Sequence, residues 1–123
     1  MDIMKESRRF LRFDVALKVD YMLQGEPKIE RTGSTKDVCA EGMQLLTEEK
    51  LQKGDKLEFK LTIPEALNPV HLNGNVMWSK EMSSEQKLSY SSGVEFGDIE
   101  EDNKNTFLKF LCNLMYLKTG RTS

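Results

Sequence analysis

The chain has 123 residues, of which 38% are hydrophobic and 31% charged, and this size and composition are typical of one soluble globular domain. Its formal net charge of −2 argues against general nucleic-acid binding, which usually needs a strongly basic surface. Two cysteines and one histidine are too few for a disulfide scaffold or for most zinc sites, so no metal or other cofactor is expected.

Residues 1–12 form an N-terminal arm in which positive charge is concentrated. The arm ends in Arg8-Arg9-Phe10-Leu11-Arg12, with Arg8 and Arg12 four positions apart and Arg9 beside the first. If such an arm lies across the folded domain, its guanidinium groups can converge on one small anionic ligand. The alternative is a solvated basic arm that binds nothing.

Residues 13–97 have the pattern of short β-strands. Alternating apolar residues or short apolar runs predict six strands, in chain order 13–21, 29–38, 43–46, 57–63, 70–78 and 88–96. Gly33 and Ser34 predict a bend or bulge inside the second strand. The polar segment 79–87 is predicted to be a loop between two hairpin arms. Strands this short favour an antiparallel barrel, because closure removes exposed strand edges.

After Gly97 the apolar period becomes helical and predicts one helix over 99–118. Asp102 or Asn103 is the expected N-cap, and acidic residues crowd the first turn. The predicted fold is therefore all-β: a small antiparallel barrel of about six strands with a C-terminal α-helix, in one domain spanning 1–123. The segment Phe107–Leu117 is apolar over a wide surface, so we expect it to contact a partner, either a downstream protein or a second copy in a homodimer.

A second cluster, Asp37-Val38-Cys39-Ala40-Glu41-Gly42, places a carboxylate, a small side chain and a glycine at fixed offsets. In a strand, Cys39 points to the same face as Asp37. Gly42 provides either a turn with positive φ or space for a ligand to approach closely. The structural alternatives are that Asp37 caps a turn and that Cys39 is a small, half-buried strand residue.

Together the two clusters resemble the paired signature of the PilZ domain, RxxxR followed by (D/N)xSxxG, with Cys39 in place of the serine of the family. The resemblance runs from Glu6 to the C-terminal helix and includes the strand end Gly93-Val94-Glu95-Phe96. It implies a barrel of PilZ type and a bacterial receptor for the second messenger cyclic di-GMP. It further implies that nucleotide binding changes the arm conformation and the contacts with partners.

The resemblance also implies a role for each site residue. Arginine forks pair with O6 and N7 of guanine and with phosphate oxygens, and the acceptor-only Asp37 suits the N1–H and N2–H donors of guanine. Trp78 is either core packing or the aromatic platform on which some relatives stack a guanine. The predicted ligand-binding residues are Arg8, Arg9, Arg12, Asp37, Cys39, Gly42 and Trp78.

Three other functions compete with this hypothesis. The first alternative is a degenerate PilZ-like adaptor that binds proteins but no nucleotide, since a thiol at Cys39 is a weaker hydrogen-bonding group than a hydroxyl. An enzyme is not expected, because no nucleophile–base pair, metal set or phosphate-cradling loop is present. A barrel for single-stranded nucleic acid needs interleaved aromatic and basic residues on one face. Without a signal-peptide core or a membrane-spanning run, we expect a cytoplasmic protein with no membrane contact.

Overall fold

The computed structural model describes residues 12–25, 29–83 and 88–119, which form a closed antiparallel barrel followed by one helix. In chain order the strands are β1 Lys18–Leu23, β2 Arg31–Val38, β3 Gly42–Thr47, β4 Lys56–Leu61, β5 Val70–Ser83 and β6 Leu88–Phe96. Around the barrel their order is β1-β2-β3-β6-β5-β4. Helix α1 covers Glu101–Thr119. The predicted fold class, an antiparallel barrel with one C-terminal helix, is confirmed.

The barrel interior is filled by the apolar residues that the two-residue period assigns to one face of each strand. In β4, for example, Leu57, Phe59 and Leu61 are buried, whereas the alternating Lys56 and Glu58 are exposed. Because successive side chains of a strand point to opposite faces, each strand contributes alternate residues to one core. The outward residues form a continuous outer wall of the barrel.

Helix α1 is attached to the barrel by aromatic packing. Phe96 lies between Phe59 and Phe107, with ring centroids 5.8 Å and 5.5 Å away. Leu111, one turn after Phe107, is also buried. Leu108, Phe110 and Leu114 are partly buried against the same core, so the barrel itself covers part of the wide apolar surface of the helix.

The helix begins at Glu101, before both of the expected N-caps, Asp102 and Asn103, so neither prediction is correct. Asn103 lies inside the first turn, where its Oδ1 accepts a hydrogen bond from the backbone N–H of His71 at 3.2 Å. The side chain thus connects α1 to β5 instead of capping the helix. Glu101 and Asp102 in the first turn are favourable there because the helix dipole presents positive charge at that end.

Two strand boundaries differ from the sequence-based prediction by more than two residues. Strand β1 begins at Lys18, and the residues before it run along the end of β2 instead. The loop predicted for 79–87 is wrong for 79–83, because these residues pair with β6 in a long hairpin; residues 84–87 lie outside the described ranges. The irregularity of β2 falls between Thr35 and Asp37 and not at Gly33, which pairs regularly with Val19.

Within the described ranges, no helix has both the length and the apolar character that crossing a bilayer requires.

Tyr21 of β1 is the largest fully buried side chain and also carries a polar group. Burial raises the pKa of its phenol above the ordinary value of 10.0, and the charge of nearby Glu49 raises it further, against smaller lowering effects from Arg31 and from a hydrogen bond with Thr47. The folded state therefore holds the phenolic proton more tightly than the unfolded chain does.

We therefore predict that Tyr21 makes stability depend on alkaline pH. Its contribution is complete below the unfolded pKa of about 10 and is lost as pH rises through the higher folded pKa. The free energy of unfolding, measured by urea titration between neutral and strongly alkaline pH, should fall less steeply for Tyr21→Phe than for the unsubstituted chain. Parallel pH profiles for the two proteins would contradict this assignment.

Candidate ligand-binding site

The segment before β1, residues 13–17, lies against the end of β2 and is called the leader below. Phe13 and Val38 exchange both backbone hydrogen bonds, at 2.8 Å and 3.0 Å. Such an exchange is the hydrogen-bonded pair of an antiparallel ladder. The next pair of opposite positions along these two segments is Arg12 and Cys39. This single bridge therefore places Arg12 beside the second sequence cluster.

Buried Thr35 fixes the other end of the leader. Its Oγ1 accepts a hydrogen bond from the backbone N–H of Leu17 at 2.9 Å and donates one to the carbonyl of Val15 at 2.5 Å. Its own N–H donates to the carbonyl of Leu17 at 3.0 Å. A buried hydroxyl with both functions satisfied holds its neighbours in one geometry, because leaving either group unpaired costs free energy.

Arg12 joins the two sequence clusters through its side chain. Its Nη2 lies 3.0 Å from Oδ1 of Asp37, and its Nη1 donates to Sγ of Cys39 at 3.5 Å. The side chain of Arg12 is 53% exposed and that of Asp37 is 14% exposed. An ion pair exposed to this degree is worth at most about 1 kcal/mol, so its main effect is to orient both groups.

The turn between β2 and β3 runs from Cys39 to Gly42. Both residues differ in part from the sequence-based prediction. Cys39 is buried and follows the last residue of β2, Val38, and its Sγ and Oδ1 of Asp37 both contact the guanidinium of Arg12. Gly42 is not in the positive-φ region. A Cβ at Gly42 would lie 2.3 Å from the carbonyl oxygen of Val94, so glycine is needed there for the close approach of β6.

Asp37 belongs to a row of residues that crosses four strands on the outer wall. Asp37 of β2 pairs with Gln44 of β3, Gln44 pairs with Gly93 of β6, and Gly93 pairs with Trp78 of β5. Directly paired residues of a sheet share one face. Since neighbouring strands lie about 4.8 Å apart, Asp37 and Trp78 are separated by three strand spacings, or roughly 14 Å along the wall.

Both ends of this row follow a β-bulge. The register shifts between Thr35 and Asp37 in β2, and again between Val76 and Trp78 in β5. Buried Thr35 and Val76 point inward, and regular alternation from them would also turn Asp37 and Trp78 inward. One extra residue in each strand reverses that phase, so the two bulges direct both side chains to the outer wall.

Trp78 lies flat against the wall because Gly93 has no side chain. A Cβ on Gly93 would come within 2.2 Å of Nε1 of the indole. The residue is 42% exposed. Lys80, two residues along β5, carries its Nζ 6.0 Å from the ring centroid. The indole thus offers an apolar surface with a cation nearby.

The structure brings together three of the predicted site residues, Arg12, Asp37 and Cys39, with Gly42 at the adjoining turn. Trp78 shares their outer face but does not touch them, and it lies within β5 instead of ending it. Arg8 and Arg9 lie outside the described residues. Two surface depressions, of about 490 and 670 Å³, include none of these residues.

Sequence reasoning missed Gln44, Gly93 and Lys80. The outward position of Gln44 follows from the alternation Met43, Gln44, Leu45, once β3 is recognised. The role of Gly93 has no local signal, since it depends on which residue of β5 lies opposite. No group of three or more histidine, cysteine, aspartate or glutamate side chains suited to a metal ion occurs in the described parts of the chain.

Comparisons with known proteins agree with this architecture. Among solved structures, the chain resembles the inhibitor of motility MotI/DgrA of Bacillus subtilis, with a TM-score of 0.69 and 19% identity over 93% of this chain. It spans 53% of the MotI/DgrA chain. The PilZ domain of YcgR from Escherichia coli, solved with c-di-GMP, gives a TM-score of 0.64 and 12% identity, with 94% of this chain and 98% of that chain covered.

A third similar structure is the PlzA protein of Borreliella burgdorferi in complex with c-di-GMP, with a TM-score of 0.61 and 11% identity, covering 97% of this chain and 57% of that one. Identities this low establish the fold alone. No curated protein matches the chain. The family model described as PilZ domain matches residues 6–112. The chain therefore belongs to the PilZ domain family.

Proposed function

We propose that this chain is a cytoplasmic receptor domain for cyclic di-GMP, which binds on the outer wall beside the leader. The observation that carries the proposal is the contact of Arg12 with Asp37 and Cys39. Support also comes from the solved PilZ domain of YcgR and from PlzA, both of which were determined with this nucleotide.

The chemistry of these side chains suits a guanine nucleotide. Arg12, together with Arg8 and Arg9 of the arm, supplies planar forks for phosphate oxygens and for O6 and N7 of guanine. The carboxylate of Asp37 keeps acceptor capacity beyond its bond to Arg12 and suits N1–H and N2–H. The exposed indole of Trp78 offers a stacking surface for a base, worth about 1–3 kcal/mol.

Calorimetric titration with cyclic di-GMP tests the proposal directly. We expect saturable binding by the unsubstituted chain and a loss of affinity of at least about tenfold in Arg12→Ala and in Asp37→Ala, because each change removes charge-assisted hydrogen bonds. The fluorescence of Trp78, the single tryptophan, should change over the same range of nucleotide concentration.

The matched controls are Arg31→Ala and Glu49→Ala, which remove an ion pair of 2.7 Å near the start of β2, at the opposite end of that strand from Asp37. Both controls should bind as tightly as the unsubstituted chain. An absence of heat at high micromolar nucleotide, with the protein folded, would reject the receptor function.

Cys39 is the observation that favours the alternative function, an adaptor of PilZ type that binds proteins without nucleotide. Its thiol accepts from Arg12 at 3.5 Å, which is a weak interaction. Replacing it by the serine of the family signature should raise nucleotide affinity by up to about tenfold, the range of one neutral hydrogen bond. If Cys39→Ser binds cyclic di-GMP and the unsubstituted chain does not, the adaptor function replaces the receptor function.

The proposal includes a response of the arm to nucleotide. Arg12 is already beside Asp37, so nucleotide held there would draw Arg8 and Arg9 to the same ligand and stabilise one arm conformation. We expect cyclic di-GMP to slow tryptic cleavage after Arg8, Arg9 and Arg12, while cleavage after Lys53, in the exposed turn before β4, keeps its rate. Equal rates at every site with and without nucleotide would contradict the arm response.

The proposal also includes a downstream protein partner that distinguishes the free from the occupied arm.

It further includes a homodimer contact through the Phe107–Leu117 segment. The barrel covers only part of the apolar surface of α1, since Leu108, Phe110 and Leu114 are partly and not fully buried, and a second copy would cover the rest. Static light scattering that gives the mass of a monomer at high protein concentration would exclude the homodimer.

A further inference from the structure

Gln44 occupies the position on the outer wall between the proposed base acceptor and the proposed stacking surface. It pairs with Asp37 on one side and with Gly93, which supports Trp78, on the other. Its side chain is partly exposed and on the same face as both. Any ligand that contacts Asp37 and extends along this row toward Trp78 passes over Gln44.

The carboxamide of Gln44 is held in place by a buried partner. Its Nε2 donates to Oγ of Ser91 at 2.6 Å, and Ser91 is fully buried on β6. Within 12–25, 29–83 and 88–119, no other side chain hydrogen bonds to this carboxamide. The second N–H and Oε1 are therefore available to a ligand while the bond to Ser91 persists.

Building on the proposed function, we propose that Gln44 determines base specificity by donating a hydrogen bond to O6 of the guanine whose N1–H and N2–H are accepted by Asp37. The side chains of Asp37 and Gln44 are direct cross-strand neighbours. Because neighbouring strands lie about 4.8 Å apart, the spacing of the two side chains is comparable to the distance between O6 and the N2 amine of guanine. The two carboxylate oxygens of Asp37 accept from N1–H and N2–H of guanine, and the N–H of Gln44 donates to O6.

Adenine presents the opposite pattern at the same edge, with an unprotonated ring nitrogen and an amine in place of O6. Against adenine, the carboxylate of Asp37 faces a lone pair and the N–H of Gln44 faces another donor. A polar group left facing a like group rejects a ligand more strongly than loss of an apolar contact does. The pair of Asp37 and Gln44 thus selects guanine, whereas Asp37 alone supplies only part of the pattern.

Ser91 is a positioning residue in this arrangement, since it is fully buried and acts through Gln44. Gln44→Leu removes the proposed donor at nearly constant volume. Gln44→Glu keeps the shape, replaces the donor by an acceptor and adds a like charge opposite Asp37, which is unfavourable in a cross-strand pair. Gln52→Leu, in the exposed turn before β4, is the matched control.

The test compares affinities for cyclic di-GMP, cyclic di-IMP and cyclic di-AMP by calorimetry or competition against fluorescence of Trp78. Cyclic di-IMP keeps O6 and N1–H but lacks the N2 amine. We expect Gln44→Leu to lose roughly tenfold in affinity for cyclic di-GMP and for cyclic di-IMP, and to bind cyclic di-AMP as tightly as the unsubstituted chain or more tightly, because the N–H that opposes the adenine amine is removed. Gln44→Glu should lose more than Gln44→Leu, and Gln52→Leu should lose nothing.

A double-mutant cycle tests the role of Ser91. Ser91→Ala should weaken cyclic di-GMP binding in the natural background and have no further effect in Gln44→Leu, because it acts only through the carboxamide. Unchanged cyclic di-GMP affinity in Gln44→Leu, or equal losses for all three nucleotides, would overturn the assignment while leaving the receptor function standing. Absence of binding by the unsubstituted chain would reject the receptor function, and the role of Gln44 with it.

Discussion

Two backbone hydrogen bonds between Phe13 and Val38 determine where the arginine-bearing arm meets the barrel. Because they form one antiparallel pair, Arg12 is placed opposite Cys39 and within reach of Asp37. Buried Thr35 then fixes the leader up to Leu17, so the leader that precedes β1 is held against β2 at both ends. Every role proposed for the basic residues depends on this attachment.

The outer wall that receives the arm is shaped by departures from regular pairing. The bulges in β2 and β5 turn Asp37 and Trp78 outward, and Gly93 lets the indole lie against the sheet. Bulges are common beside binding sites because one extra residue redirects a side chain without disturbing the rest of the sheet. The barrel therefore keeps its core while presenting a polar group and an aromatic ring on one surface.

The contact of Arg12 with Asp37 suits a receptor because it positions both groups without holding them strongly. An ion pair as exposed as this one contributes at most about 1 kcal/mol, so a nucleotide can rearrange it at low cost. The hydrogen bond between Gln44 and buried Ser91 is better protected from water. In the proposed site, the exposed Arg12 thus lies beside a fixed polar row, so that affinity and base selection depend on different residues.

Local periods in the sequence predict the six strands and the terminal helix, and they need no knowledge of distant neighbours. The association of the arginine cluster with the Asp37–Gly42 cluster came from the resemblance of both to the PilZ signature. Tertiary structure alone decided that Arg12 contacts Asp37, that both bulges direct side chains outward and that Gln44 lies between Asp37 and Gly93. The physical reason is that each of these features depends on the opposing strand: the bulges, the cross-strand neighbours and the contact of Gly93 with the indole. No local pattern in one strand specifies the register of its partner.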